Sequence, residues 1–413
     1  MRVIVSCVPQ TGHILPLLPL AQAFQAQGDD VVVASGPDAA EAVASRGLRF
    51  RVAGPDLGSW FGTLRSRTRG VPGDGLEPSR VLGYFVPRLF GEVGMALMVD
   101  ELLGLCAQFE PSLLVFDPYV FAAPLVAALT GTHAVQHSIG PLVRPGVLDL
   151  VADAVSPIWR EFGLDVPHAA GVYAGTTLTT CSPSLDPAIG AIGGAQPLRP
   201  VPPPLAEPPV LSASWADPGR PLVYVTLGTF SNNDLDLFRL VLTALEDESV
   251  NVLATIGRDN DPASLAPLPG NARVERYIPQ AELLPHCAAV VHHAGAGTTF
   301  GVLAHGLASV ALPQSADNFT IAGLLAQAGA AHTLMPGEVT GPAVRSGLRA
   351  VLNTVGYRRR AQQLADEIAA MPSPEEVAAR LRTKVEGPVS SRRGPRPDAE
   401  APVGTIDEIG PGA

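Results

Sequence analysis

Residues 288–299 of this 413-residue chain read AAVVHHAGAGTT, an apolar run of strand length that passes through two histidines into a turn of small residues. A continuously apolar run is typical of a parallel strand covered on both faces. A helix that begins after the turn has unpaired N–H groups and a positive dipole end, which favour an anion and above all a diphosphate. Packing of a tight strand-to-helix turn is the alternative explanation, and the glycine pattern alone does not decide between them.

The same alternation of strand and helix extends in both directions from this stretch. In the first half, strands are predicted at residues 2–8, 30–35, 113–117 and 133–137, with helical patterns such as 15–27 and 121–129 between them. In the second half, strands are predicted at 221–227, 251–256, 273–277, 288–292 and 309–312, with helices near 343–352 and 357–370. The fold class is therefore α/β, with two Rossmann-like, doubly wound parallel sheets that face a central cleft. Ligands of such sheets bind outside the carboxyl ends of the strands, so the cleft is the expected site.

Proline marks the boundary between the two halves. Residues 196–220 read QPLRPVPPPLAEPPVLSASWADPGR, in which repeated proline excludes both a helix interior and a central strand. We assign residues 1–200 to an N-terminal domain, 201–220 to a linker and 221–385 to a C-terminal domain. Residues 373–376, SPEE, predict a helix start, and 386–413, rich in Gly, Pro, Ser and charge, predict a disordered tail.

Bulk composition argues against several classes of function. The formal charge of -11 disfavours non-specific nucleic-acid binding, and no apolar run approaches the roughly 20 residues of a membrane span. The start of the chain has no signal-peptide pattern, so a cytoplasmic location is expected. The four cysteines, at positions 7, 106, 181 and 287, have no paired spacing and predict reduced thiols.

Polar residues follow several strands of the second half. Gly228 and Thr229 end one strand, while Gly295 and Gly297 let a phosphate approach the backbone. Thr298 or Thr299 can add a hydroxyl donor, and His293 can add a further donor or a positive charge. Beyond the next strand, Asp317 and Asn318 could hold sugar hydroxyls, and Tyr277 offers an aromatic face for a nucleobase.

A second set of polar residues follows strands of the first half. Residues 8–16 read VPQTGHILP, which places His13 at the carboxyl edge of the first strand and at the mouth of the cleft. A histidine there can take a proton from a hydroxyl, provided that its other nitrogen has an orienting partner. Asp117 ends the strand 113–117 and could be that partner.

Three stretches together resemble the large family of nucleoside-diphosphate-sugar glycosyltransferases that includes plant secondary-metabolite and actinobacterial antibiotic enzymes. Residues 276–322, RYIPQAELLPHCAAVVHHAGAGTTFGVLAHGLASVALPQSADNFTIA, resemble its donor-binding signature. Residues 12–24, GHILPLLPLAQAF, and 113–135, LLVFDPYVFAAPLVAALTGTHAV, resemble its amino-terminal elements. The resemblance implies the two-domain GT-B fold.

The resemblance also implies roles for individual residues. His13 and Asp117 fall on the catalytic base and its carboxylate partner. His293 looks like the histidine that contacts the donor diphosphate, Thr298 like the hydroxyl residue beside it, and Asp317 like the acid that binds sugar hydroxyls. Asn318 stands where the family most often has Gln, which leaves donor preference open, and Ala294 stands where the antibiotic enzymes usually have Gly.

The resemblance is weaker between about residues 56 and 105, where such a family varies its acceptor contacts. Candidate members of an apolar acceptor wall are Trp60, Phe61, Tyr84, Phe85, Phe90 and Trp159, for which core packing is the competing role. The expected reaction is inverting transfer of a hexose or deoxyhexose from a dTDP- or UDP-sugar to a small apolar acceptor, polyketide-like or aromatic. No metal and no cofactor are expected, and homodimer formation is left open.

Rival functions are less well supported. An NAD-dependent oxidoreductase needs G-x-G-x-x-G after a strand, whereas the first turn carries only Gly12. The histidines and cysteine at 286, 287, 292 and 293 share no helical face that would form a zinc site, and no G-x-S-x-G for an α/β-hydrolase occurs. A GT-B sugar epimerase and a non-catalytic homologue, which binds nucleotide sugar or assists a partner enzyme, stay open as alternatives. His13, Asp117, His293 and Asp317 together favour the transferase.

Overall fold

The computed structural model describes residues 1–68, 80–202, 216–228 and 234–386. Thr229 and most of the expected linker and tail lie outside these ranges. Within them the chain forms two parallel sheets, as the sequence predicts. The first contains β1 (Arg2–Ser6), β2 (Asp30–Ser35), β3 (Arg49–Val52), β4 (Leu113–Phe116), β5 (His133–His137), β6 (Thr176–Thr179) and β7 (Gln196–Pro197). The second contains β8 (Leu222–Thr226), β9 (Asn251–Thr255), β10 (Ala272–Glu275), β11 (Cys287–His292), β12 (Ser309–Ala311) and β13 (Ala331–Thr333).

Strand order places a topological switch point in each sheet. The first sheet runs β3-β2-β1-β4-β5-β6-β7 and the second runs β10-β9-β8-β11-β12-β13. In the first sheet, β2 and β3 therefore lie on one side of β1, and β4 and the strands after it lie on the other side. In the second sheet, β8 and β11 are arranged in the same way. Crevices open at the carboxyl ends of such strand pairs. His13 and Asp117 follow β1 and β4, while Gly228 and His293 follow β8 and β11.

Helices cover both faces of each sheet, which explains the continuously apolar strands. In β1, Ile4 packs into one core cluster, whereas Val3 and Val5 pack into another on the opposite face. All three side chains are at most 1% exposed. The helices of the first half are α1 (Thr11–Ile14), α2 (Leu18–Ala26), α3 (Ala40–Ala44), α4 (Leu57–Arg67), α5 (Val81–Phe85), α6 (Met95–Phe109), α7 (Ala122–Thr130) and α8 (Pro145–Glu161). Those of the second half are α9 (Leu235–Ala244), α10 (Gln280–Leu283), α11 (Ala296–Ala304), α12 (Asn318–Ala328), α13 (Gly341–Asn353), α14 (Val355–Ala370) and α15 (Pro374–Glu386).

A π-helical segment, Val86–Gly94, joins α5 to α6. π-helical turns are rare and often occur at functional sites, because the wider turn shifts the side chains that follow. This segment carries Phe90 toward the carboxyl edge of the first sheet. No pattern in the sequence indicates this π-helical segment.

The last helix packs on the first sheet, although our domain boundaries grouped it with the second. The apolar face of α15, formed by Val377, Ala378 and Leu381, joins the core cluster of β1 and α2. Arg382 pairs with the fully buried carboxylate of Asp29 at 2.6 Å. The chain thus crosses from the first domain to the second and returns. Over the described ranges, no helix is both long enough and apolar enough to span a membrane.

Candidate active site

Buried hydrogen bonds fix the carboxylate of Asp117 at the end of β4. The backbone N–H of Val8 donates to its Oδ2 and that of Tyr119 to its Oδ1, both at 2.7 Å. The Asp117 side chain has no exposed surface, and His13 Nδ1 lies 3.3 Å from Oδ2. A His13 tautomer with its proton on Nδ1 donates to this oxygen and leaves Nε2 as an acceptor. The structure therefore brings the predicted pair together.

Aromatic rings enclose the imidazole of His13. Phe90 stacks against it, with ring centroids 5.9 Å apart and an interplanar angle of 27°. Tyr119 meets it edge-on at 5.3 Å. These rings shield the base from water on two sides, and Phe90 belongs to the π-helical segment.

The other aromatic candidates form two groups. Phe61, Tyr84 and Phe85 are partly buried, and Phe85 contacts the other two at centroid distances of 6.3 and 5.2 Å. They extend the apolar surface outward from Phe90. Trp60 and Trp159 are 1% exposed and pack in the core, so they offer no surface to a ligand in this structure. Trp60 instead supports Phe90 from behind, at 6.3 Å.

In the second domain, two glycines hold the ring of His293 between them. A Cβ at Gly228 would lie 2.4 Å from this ring, and a Cβ at Gly295 would lie 2.2 Å from its Nε2. Gly228 also has a left-handed φ of +77°. Packing against the histidine thus requires both glycines. Gly297 differs, because it is exposed and a Cβ there would meet no atom within 4 Å.

Burial keeps both histidines of this turn neutral. It lowers the pKa of His293 to about 4, a shift that the Thr226 carbonyl opposes only in part. It lowers the pKa of His292 to about 3, with a further contribution from His293. His293 Nδ1 is buried without a partner among the described residues. Burial therefore favours the neutral form of this side chain, in which it can act as a hydrogen-bonding group.

The start of α11 is held by side-chain contacts that the sequence analysis missed. Gln280 Nε2 donates to the Thr298 hydroxyl at 3.1 Å, and Thr298 is buried. Ala294 adopts a left-handed φ of 63°, a conformation that glycine adopts without strain. Gln280 lies in the stretch that resembles the donor-binding signature, but its contact with Thr298 depends on the fold and has no signal in the sequence.

Asp317 and Asn318 have different roles: Asp317 faces the cleft, whereas Asn318 stabilises a turn. Asn318 is buried, and its Oδ1 accepts the Ser315 N–H at 3.3 Å. Asp317 is partly buried, and burial raises its pKa while nearby His13 opposes the shift. Of the two, Asp317 approaches the first domain.

The two domains meet beside Asp317. Gly140, which follows β5, lies so close to the start of α11 that a Cβ there would be 3.3 Å from Ala296 Cβ and 3.9 Å from Asp317 Oδ2. A small pocket at this contact is lined by Tyr119, Gly140, Arg144 and Asp317, among others. Asp186 holds Arg144 at 2.8 Å. Sequence reasoning missed Tyr119, Gly140 and Arg144.

Tyr277 is 47% exposed just beyond the end of β10. The guanidinium carbon of Arg258, in the loop after β9, lies 3.8 Å from its ring centroid. One face of the predicted base-stacking ring is thus covered by a cation. The sequence analysis did not single out Arg258.

The loops that carry these residues lie side by side, because the strands before them are neighbours in the sheet. Along the carboxyl edge of the second sheet, Tyr277, Arg258, Gly228, His293 and Asp317 follow β10, β9, β8, β11 and β12 in turn. An extended ligand along this edge would meet an aromatic ring at one end, unpaired N–H groups in the middle and a carboxylate at the other. That carboxylate lies next to His13, so a group held by Asp317 is presented to the base. Over the described ranges, no three His, Cys, Asp or Glu side chains converge as metal ligands.

Comparison with known proteins gives consistent matches over both domains. Residues 85–187 match the family model "Erythromycin biosynthesis protein CIII-like, N-terminal domain", and residues 239–383 match its C-terminal counterpart. The L-demethylnoviosyl transferase of Streptomyces niveus is 31% identical over 387 residues, covering 92% of this chain and 97% of that one.

Solved structures agree with this match. The glycosyltransferase SnogD of Streptomyces nogalater superposes with a TM-score of 0.73 at 29% identity, covering 93% of this chain and 99% of that one. The spinosyn rhamnosyltransferase SpnG, solved with thymidine diphosphate and with spinosyn aglycone, gives 0.76 at 26% identity, covering 93% and 100%.

Proposed function

This chain belongs to the glycosyltransferases of the erythromycin biosynthesis protein CIII type, and we propose that it transfers a hexose or deoxyhexose from a dTDP-sugar to a hydroxyl of a small apolar acceptor. The observation that carries the proposal is that Tyr119, which meets the ring of the Asp117-bonded His13 edge-on, lines the pocket at the domain contact together with Asp317. This placement puts a base beside the carboxylate expected to hold the donor sugar.

The reaction proceeds by a single displacement in this proposal. Nε2 of His13 takes the proton of the acceptor hydroxyl as its oxygen bonds to the anomeric carbon, and the bond from that carbon to the diphosphate oxygen breaks. Asp117 accepts Nδ1–H and stabilises the imidazolium as it forms. One displacement at one carbon inverts its configuration.

Backbone N–H groups hold the diphosphate in this proposal. The start of α11 supplies unpaired donors and a positive dipole end beside the buried, unpartnered Nδ1 of His293. Gly297, whose Cβ position is open, allows a phosphate oxygen to approach the backbone. These groups stabilise the departing diphosphate, and we propose that no metal ion takes part.

The choice of nucleoside and acceptor follows the relatives. SpnG was solved with thymidine diphosphate and with spinosyn aglycone, which supports a dTDP-sugar donor and an aglycone acceptor. In this chain Phe61, Tyr84, Phe85 and Phe90 provide apolar surface that leads to His13. A flat or polycyclic aglycone fits such a surface.

The test separates donor binding from transfer. Thermal unfolding with dTDP, UDP and ADP measures donor choice, because a ligand that binds only the folded state raises the melting temperature. Incubation with dTDP-sugars and a panel of apolar aglycones, scored by product mass, measures transfer. We expect dTDP to stabilise both the parent and His13→Gln, and only the parent to form product. Stabilisation by none of the nucleotides, or equal turnover by His13→Gln, would contradict the proposal.

A further inference from the structure

Arg258 and Tyr277 are in contact at the end of the second sheet's carboxyl edge that lies away from His13, where Arg276 Nη1 also donates to the Arg258 carbonyl at 3.5 Å. The guanidinium lies over the ring at 3.8 Å, within the range of a cation–π interaction. Both side chains are exposed, and Arg258 has no ion pair within the described ranges. A cation held only by a ring can be displaced at small cost.

Positive charge is scarce along the rest of this edge. The loops after β8 to β12, residues 227–234, 256–261, 276–279, 293–295 and 312–317, contain two arginines and no lysine. Arg276 is occupied by Asp261 at 3.5 Å. His292 and His293 are neutral. Arg258 is therefore the cation of these loops that is available to a diphosphate.

We propose that Arg258 is a donor-recognition residue that changes partner when nucleotide binds, leaving the face of Tyr277 to the nucleobase and moving onto the diphosphate. The inference rests on the proposed nucleotide-sugar donor and adds a residue to that site. The proposal places the base on the ring face that Arg258 covers, so the incoming nucleotide displaces the side chain that its own phosphates then attract.

The strand positions allow this movement. Arg258 follows β9, which lies next to β10 on one side and two strands from β11 on the other. At about 5 Å per strand, the guanidinium needs to cover about 10 Å toward His293, and a diphosphate at α11 shortens that gap. Gly257, with a φ of +92°, precedes Arg258 and adopts a conformation suited to glycine.

The proposal is tested by comparing the binding of a nucleotide, dTDP, with that of the nucleoside thymidine. In Arg258→Ala we expect dTDP affinity to fall about tenfold or more and its salt dependence to weaken, since a charge-assisted contact is lost. Affinity for thymidine, which has no phosphate, should stay equal or rise by up to about fivefold, because nothing has to be displaced from Tyr277. Calorimetry for dTDP and saturation-transfer NMR for thymidine give the two affinities.

Arg276→Ala is the matched control, a neighbouring arginine that already has a carboxylate partner. It should change either affinity by less than about twofold. Equal losses of dTDP and thymidine binding in Arg258→Ala would overturn the proposal, because Arg258 would then be a fixed part of the base platform. Unchanged binding of both would also overturn it. If the parent protein binds neither dTDP nor UDP, the proposed function fails as well, and the parent alone reveals this.

Discussion

Asp117→Asn is expected to weaken the fold as well as the reaction, although the two side chains have nearly the same shape. The carboxylate serves one backbone donor on each oxygen, Val8 N–H on Oδ2 and Tyr119 N–H on Oδ1. An amide has one oxygen and one NH₂ group, so either orientation turns a donor toward a donor. Leaving one buried N–H without an acceptor costs about 1–3 kcal/mol.

The two orientations differ in their effect on His13. With the amide oxygen at the Oδ2 position, Val8 and His13 keep their acceptor and only Tyr119 loses its own. The opposite orientation takes the acceptor from Val8 and keeps the His13 contact only if the tautomer of His13 reverses, so the first should dominate. Turnover should then fall because the imidazolium loses a negative partner, but by less than in His13→Gln, which removes the base. At about 2–4 °C per kcal/mol for a domain of this size, the melting temperature should drop by about 2–12 °C.

Paired measurements separate the two effects. Urea unfolding gives the free energy of unfolding, and initial rates with saturating donor give turnover, for Asp117→Asn and His13→Gln side by side. His13→Gln keeps both backbone bonds of Asp117 and should be the more stable variant and the less active one. An Asp117→Asn protein as stable as the parent would refute the reasoning, because it would show that the two N–H groups do not depend on the carboxylate.

Three further outcomes are expected. Transfer should persist in excess EDTA, because backbone N–H groups hold the diphosphate; complete loss that magnesium or manganese restores would contradict the metal-free proposal. Gly297→Ala should weaken dTDP binding, because its Cβ would lie where a phosphate oxygen approaches the backbone, and should leave the melting temperature equal or higher, because that Cβ meets no protein atom. Gly295→Ala should lower the melting temperature, because its Cβ would strike His293. Normal dTDP affinity in Gly297→Ala would show that the phosphates bind elsewhere. Burial lowers the pKa values of His137, His292 and His293 to about 4, 3 and 4, so the unfolded chain binds protons that the folded chain does not. The free energy of unfolding should therefore fall between pH 6.5 and about 4, by at most about 4 kcal/mol per pH unit. A urea midpoint that stays constant from pH 7.5 to 5 would show that these residues are not buried as described.

The sequence was most informative where one physical requirement acts along many residues. Strands buried on both faces must be apolar throughout, so β1 and β11 could be predicted from their continuous runs of apolar residues. Residues that follow parallel strands lie at the same edge of the sheet, which is why His13 and Asp117 could be predicted to pair although they are more than a hundred residues apart in the sequence.

The features that escaped prediction depend on contacts between distant segments. Trp60 and Phe90 are both aromatic residues in a variable region, and only their packing in the folded chain shows that Trp60 lies behind Phe90 beside His13. The charge of His293 could not be predicted, because it depends on how deeply the ring is buried between two glycines. Arg258 has no motif, since its role depends on a neighbouring strand placing Tyr277 beneath it.

The return of α15 to the first domain has a consequence for building hybrid enzymes. Val377, Ala378 and Leu381 fill a core that belongs to β1 and α2, and Arg382 pairs with Asp29 there. A chimera that exchanges the halves of two relatives at a single crossover in the linker would join this helix to a foreign core and leave Oδ2 of Asp29 dependent on a foreign partner, while Oδ1 keeps its pair with the Met1 ammonium. The exchangeable acceptor module is therefore discontinuous: residues 1–200 together with 374–386 from one parent, and the sheet between them from the other. Hybrids made with two crossovers should keep their solubility where those made with one lose it.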